Sequence, residues 1–214
     1  MIKTILWDFD GVIVESVNVK TEAFRDMYIV HGQEIAQKVV DHHMAHGGIS
    51  RFEKFKIYHE NFLNKQISNE ELDQLADQFS NLVLRKVIES PYIPGVLGFI
   101  QKNQANYQHF IISGTPHEEM NLIIENKNLT SLFKGVMGSP KTKSEWIFDL
   151  VKQNKIEIAN SVFVGDATTD YNAAIKTGTK FVLREVDYNL EYFKSYQGPR
   201  VKNFLGFEKV IEAI

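Results

Sequence analysis

Short apolar segments that alternate with amphipathic segments constrain the fold of this chain more than any other feature of its sequence. From about residue 107 onward, each strand-like segment is followed by one whose apolar residues recur three or four positions apart, as in a helix. The strand-like segments read YQHFIIS, LFKGVMG, SVFVGD and KFVLRE, and an earlier one at the start of the chain reads IKTILWDF. Such alternation is typical of a parallel sheet with helices on both of its faces.

The region between the first strand and the later alternation has a helical pattern throughout. Helical spacing of apolar residues occurs in VKTEAFRDMYIV, RFEKFKIYHENFL and SNEELDQLADQFSNLVLRKVI. The last of these begins with Ser68 and Glu71 at capping-box positions. The sequence therefore predicts a doubly wound, Rossmann-like α/β core formed by residues 1–16 and 90–214, with an all-helical cap domain, residues 17–89, inserted after the first strand.

Composition excludes several classes of partner and chemistry. The net charge of −3 argues against a nucleic-acid partner, and no apolar run approaches the roughly 18–20 residues that cross a membrane. The chain has no cysteine, so it forms no disulfide and uses no thiolate. We expect a cytoplasmic protein, monomeric or homodimeric, with no nucleic-acid or membrane partner.

Polar residues directly follow four of the predicted strands, which is where ligands bind in a doubly wound sheet. These residues are Asp8 and Asp10, then Ser113, Gly114 and Thr115, then Lys141 and Lys143, and finally Asp166 and Asp170. Residues i and i+2 of a strand point to the same face, so the first two carboxylates can reach one ligand together. Because neighbouring buried carboxylates repel, they need a compensating cation, and Mg²⁺ prefers such oxygen ligands.

The residue types at these strand ends suit phosphoryl transfer. A carboxylate can attack phosphorus, a second carboxyl can carry protons, and a lysine with a hydroxyl can hold the phosphoryl oxygens. Each residue taken alone has a more ordinary explanation as a helix cap, a turn residue or a solvated lysine. The ordered set, with each member after a predicted strand, is what indicates the chemistry.

The segments DFDGV, ISGT, SPKTKSE and GDATTD resemble the four motifs of the haloacid dehalogenase superfamily of phosphotransferases. The helical insertion resembles the small cap of its β-phosphoglucomutase and phosphoglycolate phosphatase branches. The resemblance implies that Asp8 is the nucleophile and Asp10 the general acid and base. It also implies Mg²⁺ bound by the carboxylates of Asp8 and Asp166 and by the main-chain carbonyl of Asp10, with Asp170 orienting the metal's surroundings.

The same resemblance assigns the residues that hold the phosphoryl group. Ser113 and Lys141 would bind it, with Gly114 and Thr115 beside them. Many relatives read Lys-Pro-x-Pro-Glu in the third motif, whereas this chain reads Lys-Thr-Lys-Ser-Glu. Lys143 is therefore an alternative to Lys141.

Several cap residues are candidates for binding the rest of the substrate. HGGISRFEKF resembles the specificity loop of the β-phosphoglucomutase branch, so Gly48, Ser50 and Arg51 would contact substrate, and Arg51 would grip a second phosphate. Lys20 stands where that branch has a histidine. His42 and His46 have a spacing that can bind zinc but lack an evident third ligand, so a polar helix end or a substrate contact is the simpler interpretation.

The expected function is Mg²⁺-dependent hydrolysis of a small phosphorylated metabolite, such as a sugar phosphate, through an aspartyl-phosphate. Asp10 disfavours the halide-releasing and phosphonate-cleaving branches, which lack it. A phosphosugar mutase remains an alternative, although that branch has Glu-Asp where this chain has Gly165-Asp166. A non-enzymatic phospho-accepting module of the receiver type is less compatible, because its accepting aspartate follows a middle strand and it has no cap.

Overall fold

The computed structural model describes all 214 residues and contains one sheet of six parallel strands. The strands are β1 (Thr4–Trp7), β2 (Gln108–Pro116), β3 (Gly135–Ser139), β4 (Ser161–Gly165), β5 (Lys180–Arg184) and β6 (Arg200–Val201). Their order in the sheet is β3-β2-β1-β4-β5-β6. The predicted doubly wound α/β fold is confirmed, and β6, which is only two residues long, is the strand that the sequence pattern does not reveal.

Nine α-helices accompany the sheet, and the first five lie between β1 and β2 without an intervening strand. They are α1 (Val17–Tyr28), α2 (Gln33–Ala45), α3 (Arg51–Ile57), α4 (Asn69–Glu89), α5 (Val96–Lys102), α6 (His117–Asn126), α7 (Lys143–Lys152), α8 (Thr168–Thr177) and α9 (Glu208–Glu212). The predicted capping box at Ser68 and Glu71 is present at the start of α4. No helix has the combination of length and apolar character required to cross a bilayer.

The strands are apolar on both faces because each face is covered. Trp7 on one face packs edge-on against Phe99 and Phe204, with ring centroids 6.0 and 5.4 Å apart. Leu6 and Phe163 lie in a separate cluster on the other face. Burial on both faces explains why β1 reads as a continuous apolar run and not as an alternating one.

Aromatic side chains also pack among the inserted helices, in a cluster that is continuous with the one around Trp7. Phe24 lies 4.3 Å from Phe79 and 5.6 Å from Phe55, centroid to centroid, and Tyr58 packs against the same ring at 5.7 Å. All four side chains are buried. Since this segment is helical throughout and contains no strand, we propose that residues 17–89 form a cap domain.

Strands β2 and β3 lie on one side of β1, and β4, β5 and β6 lie on the other. The switch point of the sheet is therefore between β1 and β4. Trp7 pairs with Ile111 of β2 and with Val164 of β4. The residues that follow these three strands therefore meet at one edge, which is where a doubly wound sheet binds its ligands.

Candidate active site

Three buried carboxylates meet at the carboxyl ends of β1 and β4. Asp8, Asp166 and Asp170 each offer an oxygen within 4.8 Å of the others. Asp170 lies in the first turn of α8, and its Oδ2 accepts hydrogen bonds from the backbone N–H groups of Asp166 at 3.2 Å and Ala167 at 3.0 Å. The start of α8 is thereby tied to the end of β4, and the three acids face one another.

Two glycines allow this close approach. Gly11 has a φ of +75°, and a Cβ at this position would lie 2.5 Å from Asp166 Oδ2. A Cβ on Gly165 would lie 2.3 Å from the Cβ of Asp170. Any larger residue at either position would displace a carboxylate of the cluster.

Lys143 is the lysine of the cluster. Its Nζ lies 2.9 Å from Asp8 Oδ1 and 2.5 Å from Asp170 Oδ1, and its side chain is 5% exposed. Burial opposes its charge, but the two carboxylates outweigh burial and raise the pKa of Lys143. The lysine is therefore charged, and it lies directly beside Asp8.

Lys141, the other lysine that the sequence offers for this role, lies away from the three acids. Lys141 Nζ lies 2.6 Å from Asp149 Oδ2, and half of its side chain is exposed. Thr142 caps the N-terminus of α7, so Lys141 precedes the helix, whereas Lys143 is its first residue and turns inward. The alternative lysine named from the sequence is the one beside Asp8.

Burial changes the protonation of the acids. Burial and repulsion from Asp170 raise the pKa of Asp8 well above its usual value, although Lys143 opposes the rise. The same two causes raise the pKa of Asp166 to about 7. When the three carboxylates are ionised, the single ammonium of Lys143 does not neutralise them. Mg²⁺ binds oxygen ligands such as these carboxylates. The donor set therefore fits this ion.

Asp10 has a different environment from that of the three clustered acids. Its carboxylate accepts hydrogen bonds from Lys20 Nζ at 2.5 Å, Ser16 Oγ at 2.6 Å and Thr115 Oγ1 at 3.2 Å. Burial raises the pKa of Asp10, but the opposing effects of Lys20 and the two hydroxyls are together larger. The pKa of Asp10 is therefore lowered from its usual value. Asp10 is thus ionised beside acids that tend to hold protons.

Ser113 and Gly114 lie at the end of β2, where the inserted helices reach the sheet. Ser113 is buried, and its Oγ accepts a hydrogen bond from the Thr115 N–H at 3.1 Å. A Cβ on Gly114 would lie 2.4 Å from the carbonyl oxygen of Gly48. Thr169 Oγ1 donates to the Gly47 carbonyl at 2.6 Å. The predicted specificity loop therefore rests directly on the core.

Arg51, predicted to contact substrate, lines the same cavity as Asp8 and Asp10, and Ser50 lines a neighbouring cavity with Ser113 and Gly114. Arg51 donates to Glu119 of α6 through both terminal nitrogens, at 2.8 and 2.6 Å, and also to Ser80 Oγ. Its charge is neutralised by this ion pair, so it is not a free partner for a second phosphate. Ser50 Oγ is buried and has no hydrogen-bond partner.

Two further residues at the site, Tyr188 and Asn189, have no motif signal in the sequence. Tyr188 Oη donates to Asp166 Oδ2 at 2.5 Å, and Asn189 Nδ2 donates to the Asp166 carbonyl at 2.8 Å. Lys54 and His43 line the cavity that also contains Asp8 and Asp10. These residues come from segments far apart along the chain, so only a signal shared between distant positions could have revealed them.

A cavity lies between the inserted helices and the carboxyl ends of the strands. Asp8, Asp10 and Asp166 line it from the sheet, and residues of α1, α2, α3 and α4 line it from the inserted helices.

Comparison with known proteins agrees with this geometry. A family model described as haloacid dehalogenase-like hydrolase matches residues 5–184. No curated protein matches the chain.

Several solved structures share the fold. A β-phosphoglucomutase from Clostridium difficile has a TM-score of 0.80 and 22% identity, covering 99% of this chain and 96% of its own. A predicted phosphoglycolate phosphatase from Haemophilus somnus has a TM-score of 0.74 and 18% identity, covering 98% and 97%. A CbbY mutant from Rhodobacter sphaeroides, in complex with xylulose-(1,5)bisphosphate, has a TM-score of 0.72 and 14% identity, covering 95% of each chain.

At these identities the structural likeness establishes the fold alone, whereas the family match spans most of the chain. The prediction of a hydrolase of this family is confirmed. The chain belongs to the haloacid dehalogenase-like hydrolase family.

Proposed function

We propose that the protein is a Mg²⁺-dependent phosphatase that hydrolyses a small phosphorylated metabolite through an aspartyl-phosphate on Asp8. The observation that carries this proposal is the position of the Asp8 carboxylate. It is buried, lies 2.9 Å from the Lys143 ammonium, and lines the same cavity as Asp10. A nucleophile, a proton carrier and a cation thus meet at one place.

Hydrolysis would proceed in two balanced steps. In the first, a carboxylate oxygen of Asp8 attacks phosphorus and the bond from phosphorus to the ester oxygen breaks. The leaving ester oxygen takes a proton from Asp10. In the second, water attacks the phosphorus, Asp10 accepts a proton from the water, and Asp8 is released with inorganic phosphate. The lowered pKa of Asp10 in the free protein suits the second step. The negative charge of a bound substrate's phosphate would favour protonation of Asp10, which the first step requires.

The charge of the transferred group needs several positive partners. Lys143 would hold one phosphoryl oxygen, and the Ser113 hydroxyl with the amide of Gly114 would hold the others. Asp8 and Asp166 through their carboxylates, and Asp10 through its carbonyl, would hold Mg²⁺, with Asp170 fixing Lys143. When bound, the ion would offset the charges of the carboxylates and of the phosphate.

The closed arrangement of the inserted helices supports a small substrate. Contacts such as Thr169 with Gly47 seal the cavity against the core, which would exclude bulk water during transfer. One structural neighbour is in complex with a sugar bisphosphate. We therefore propose a small hydroxyl-rich phosphate ester, such as a sugar phosphate, as the substrate class.

A phosphosugar mutase is the second candidate, supported by the TM-score of 0.80 to a β-phosphoglucomutase. One observation argues against a mutase. The glutamate of that branch would stand at Gly165, where a side chain would overlap Asp170. Lys20, which pairs with Asp10, also replaces the histidine of that branch.

The proposal is tested by a phosphate-release screen over phosphorylated metabolites, with and without Mg²⁺. We expect release from several small phosphate esters that depends on Mg²⁺ and is abolished by Asp8→Asn. Conversion of one isomer into another, stimulated by a bisphosphate and without net phosphate release, would establish the mutase instead. Activity that survives Asp8→Asn would overturn the covalent mechanism.

A further inference from the structure

One buried cation in the cavity forms no ion pair. Lys54, on α3, is 2% exposed, and its only hydrogen-bond partner is His43 Nδ1 at 2.8 Å. The other two cations of the cavity, Lys20 and Arg51, each pair with a carboxylate. Lys54 is thus the one cavity cation without an anionic partner.

His43 supplies hydrogen bonding to Lys54 but no negative charge. An ammonium has only donors, so His43 must accept through an unprotonated Nδ1. Burial, together with the charge of Lys54, lowers the pKa of His43 well below its usual value and keeps the ring neutral. The ring of Phe24, whose centroid lies 5.5 Å from the Lys54 Nζ, is likewise uncharged.

A buried ammonium without a carboxylate is costly for a protein that only needs to fold. Burial and the nearby Lys20 lower the pKa of Lys54 to about 7, and the attraction of Asp10 does not offset them, so the charged form is poorly stabilised in the free protein. A methionine would fill the same space between aromatic side chains without this cost. A role in packing alone therefore does not explain the residue.

The position of Lys54 explains its charge. The cavity has Asp8 and Asp10 on the side of the sheet and Lys54 on the side of the inserted helices. We propose that Lys54 binds an anionic group at the far end of the substrate, either a carboxylate or a second phosphate. This proposal rests on the proposed function, because it takes the phosphate at Asp8 as the end that reacts.

The role assigned to Lys54 replaces the one that the sequence predicts for Arg51. Glu119 satisfies both terminal nitrogens of Arg51, whereas nothing anionic satisfies Lys54. The two residues lie on the same short helix, so the cation for the far end of the substrate is shifted by three positions along α3.

The test uses two pairs of probes that differ only in the charge of the far end. One pair is 2-phosphoglycolate and ethyl phosphate, and the other is glucose 1,6-bisphosphate and glucose 1-phosphate. Lys54→Met should lower kcat/KM for the anionic member of at least one pair by about 10- to 100-fold, the value of a charged hydrogen bond. The neutral member should change by less than about threefold, within the range of an ordinary surface substitution. The pair that responds identifies the anion as a carboxylate or a phosphate.

Two further variants control for damage to the fold. Lys54→Gln keeps a hydrogen-bond donor to His43 without the charge and should show the same selective loss. Lys56→Met removes an exposed lysine from the same helix and should change neither member of a pair. A thermal midpoint for Lys54→Met at or above that of the wild type would show that the charge is not needed for folding.

Calorimetric titration of the same probes into Asp8→Asn, with and without Lys54→Met, separates this inference from the proposed function. If the wild type releases phosphate from none of the probes, the proposed function fails, but the binding preference still decides the role of Lys54. Asp8→Asn protein that binds no anionic probe more tightly than its neutral counterpart would overturn the inference. So would a preference that survives Lys54→Met, or an equal loss for both members of each pair.

Discussion

The ammonium of Lys143 lies 2.9 Å from Asp8 Oδ1, although strands β2 and β3 lie between the two residues along the chain. The contact joins the first residue of α7 to the loop that follows β1. Asp170 completes the arrangement from the first turn of α8, at 2.5 Å from the same ammonium. Three elements therefore fix one cation beside the proposed nucleophile.

Lys143→Met should lower kcat by about 10²- to 10³-fold, because it removes a preorganised positive charge from the transferred group. Lys141→Met is the matched control, since this lysine contacts Asp149 at the surface. Its kcat should stay within about threefold of the wild type, as for an ordinary surface substitution. Steady-state phosphate release measures both variants. Equal losses in the two would contradict the assignment of the lysine.

Mg²⁺ should raise the thermal midpoint more at about pH 8 than at about pH 5, because protons and the ion compete for the same carboxylates. Burial and Asp170 raise the pKa of Asp166 to about 7. Since this value lies above that of the unfolded chain, the folded protein holds the proton more tightly. The contribution to stability is full below about pH 4 and is lost as the pH rises towards about 7.

The measurement is thermal denaturation with Mg²⁺ or with a chelator across this pH range. Asp166→Asn removes the titrating group and should abolish most of the Mg²⁺-dependent rise at the higher pH. A rise in thermal midpoint that is the same at both pH values would show that the ion does not bind at these carboxylates.

Lys20→Met should raise the pKa of Asp10, because the ammonium 2.5 Å away is removed while the burial remains. If Asp10 must be ionised to accept a proton from water, the acidic limb of the pH profile of kcat moves to higher pH by about one unit or more. Lys20→Arg retains the charge and should leave the limb close to its wild-type position. An unchanged limb in Lys20→Met would remove Asp10 as the titrating base.

Glu119→Gln should favour an open arrangement of the inserted helices. Arg51 would lose its anionic partner, and leaving such a charge buried costs about 3–5 kcal/mol unless it reaches water. Opening should increase proteolytic cleavage near residues 15–17 and 90–94, which connect the inserted helices to the core, by about tenfold or more. Glu118→Gln changes the exposed neighbour and should leave cleavage unchanged. Equal protection of the two variants would show that this ion pair does not hold the cap.

The sequence was sufficient to predict the architecture and the acidic residues of the site. Alternating periodicity indicated the parallel sheet, and the positions after β1 and β4 named Asp8 and Asp166. These predictions succeed because the carboxyl ends of parallel strands meet at one edge whatever the packing details. The helical character of residues 17–89 was likewise readable, since it depends on local spacing alone.

Only the tertiary structure decided which cations serve the site. Lys141 and Lys143 look alike in the sequence, and the start of α7 determines which one turns inward. Arg51 is neutralised by Glu119, 68 positions away, and Lys54 is left unpaired beside His43. A side chain's charge is recorded in the sequence, but the partner that neutralises it is set by packing between distant segments, and that partner determines whether the charge is free to bind substrate.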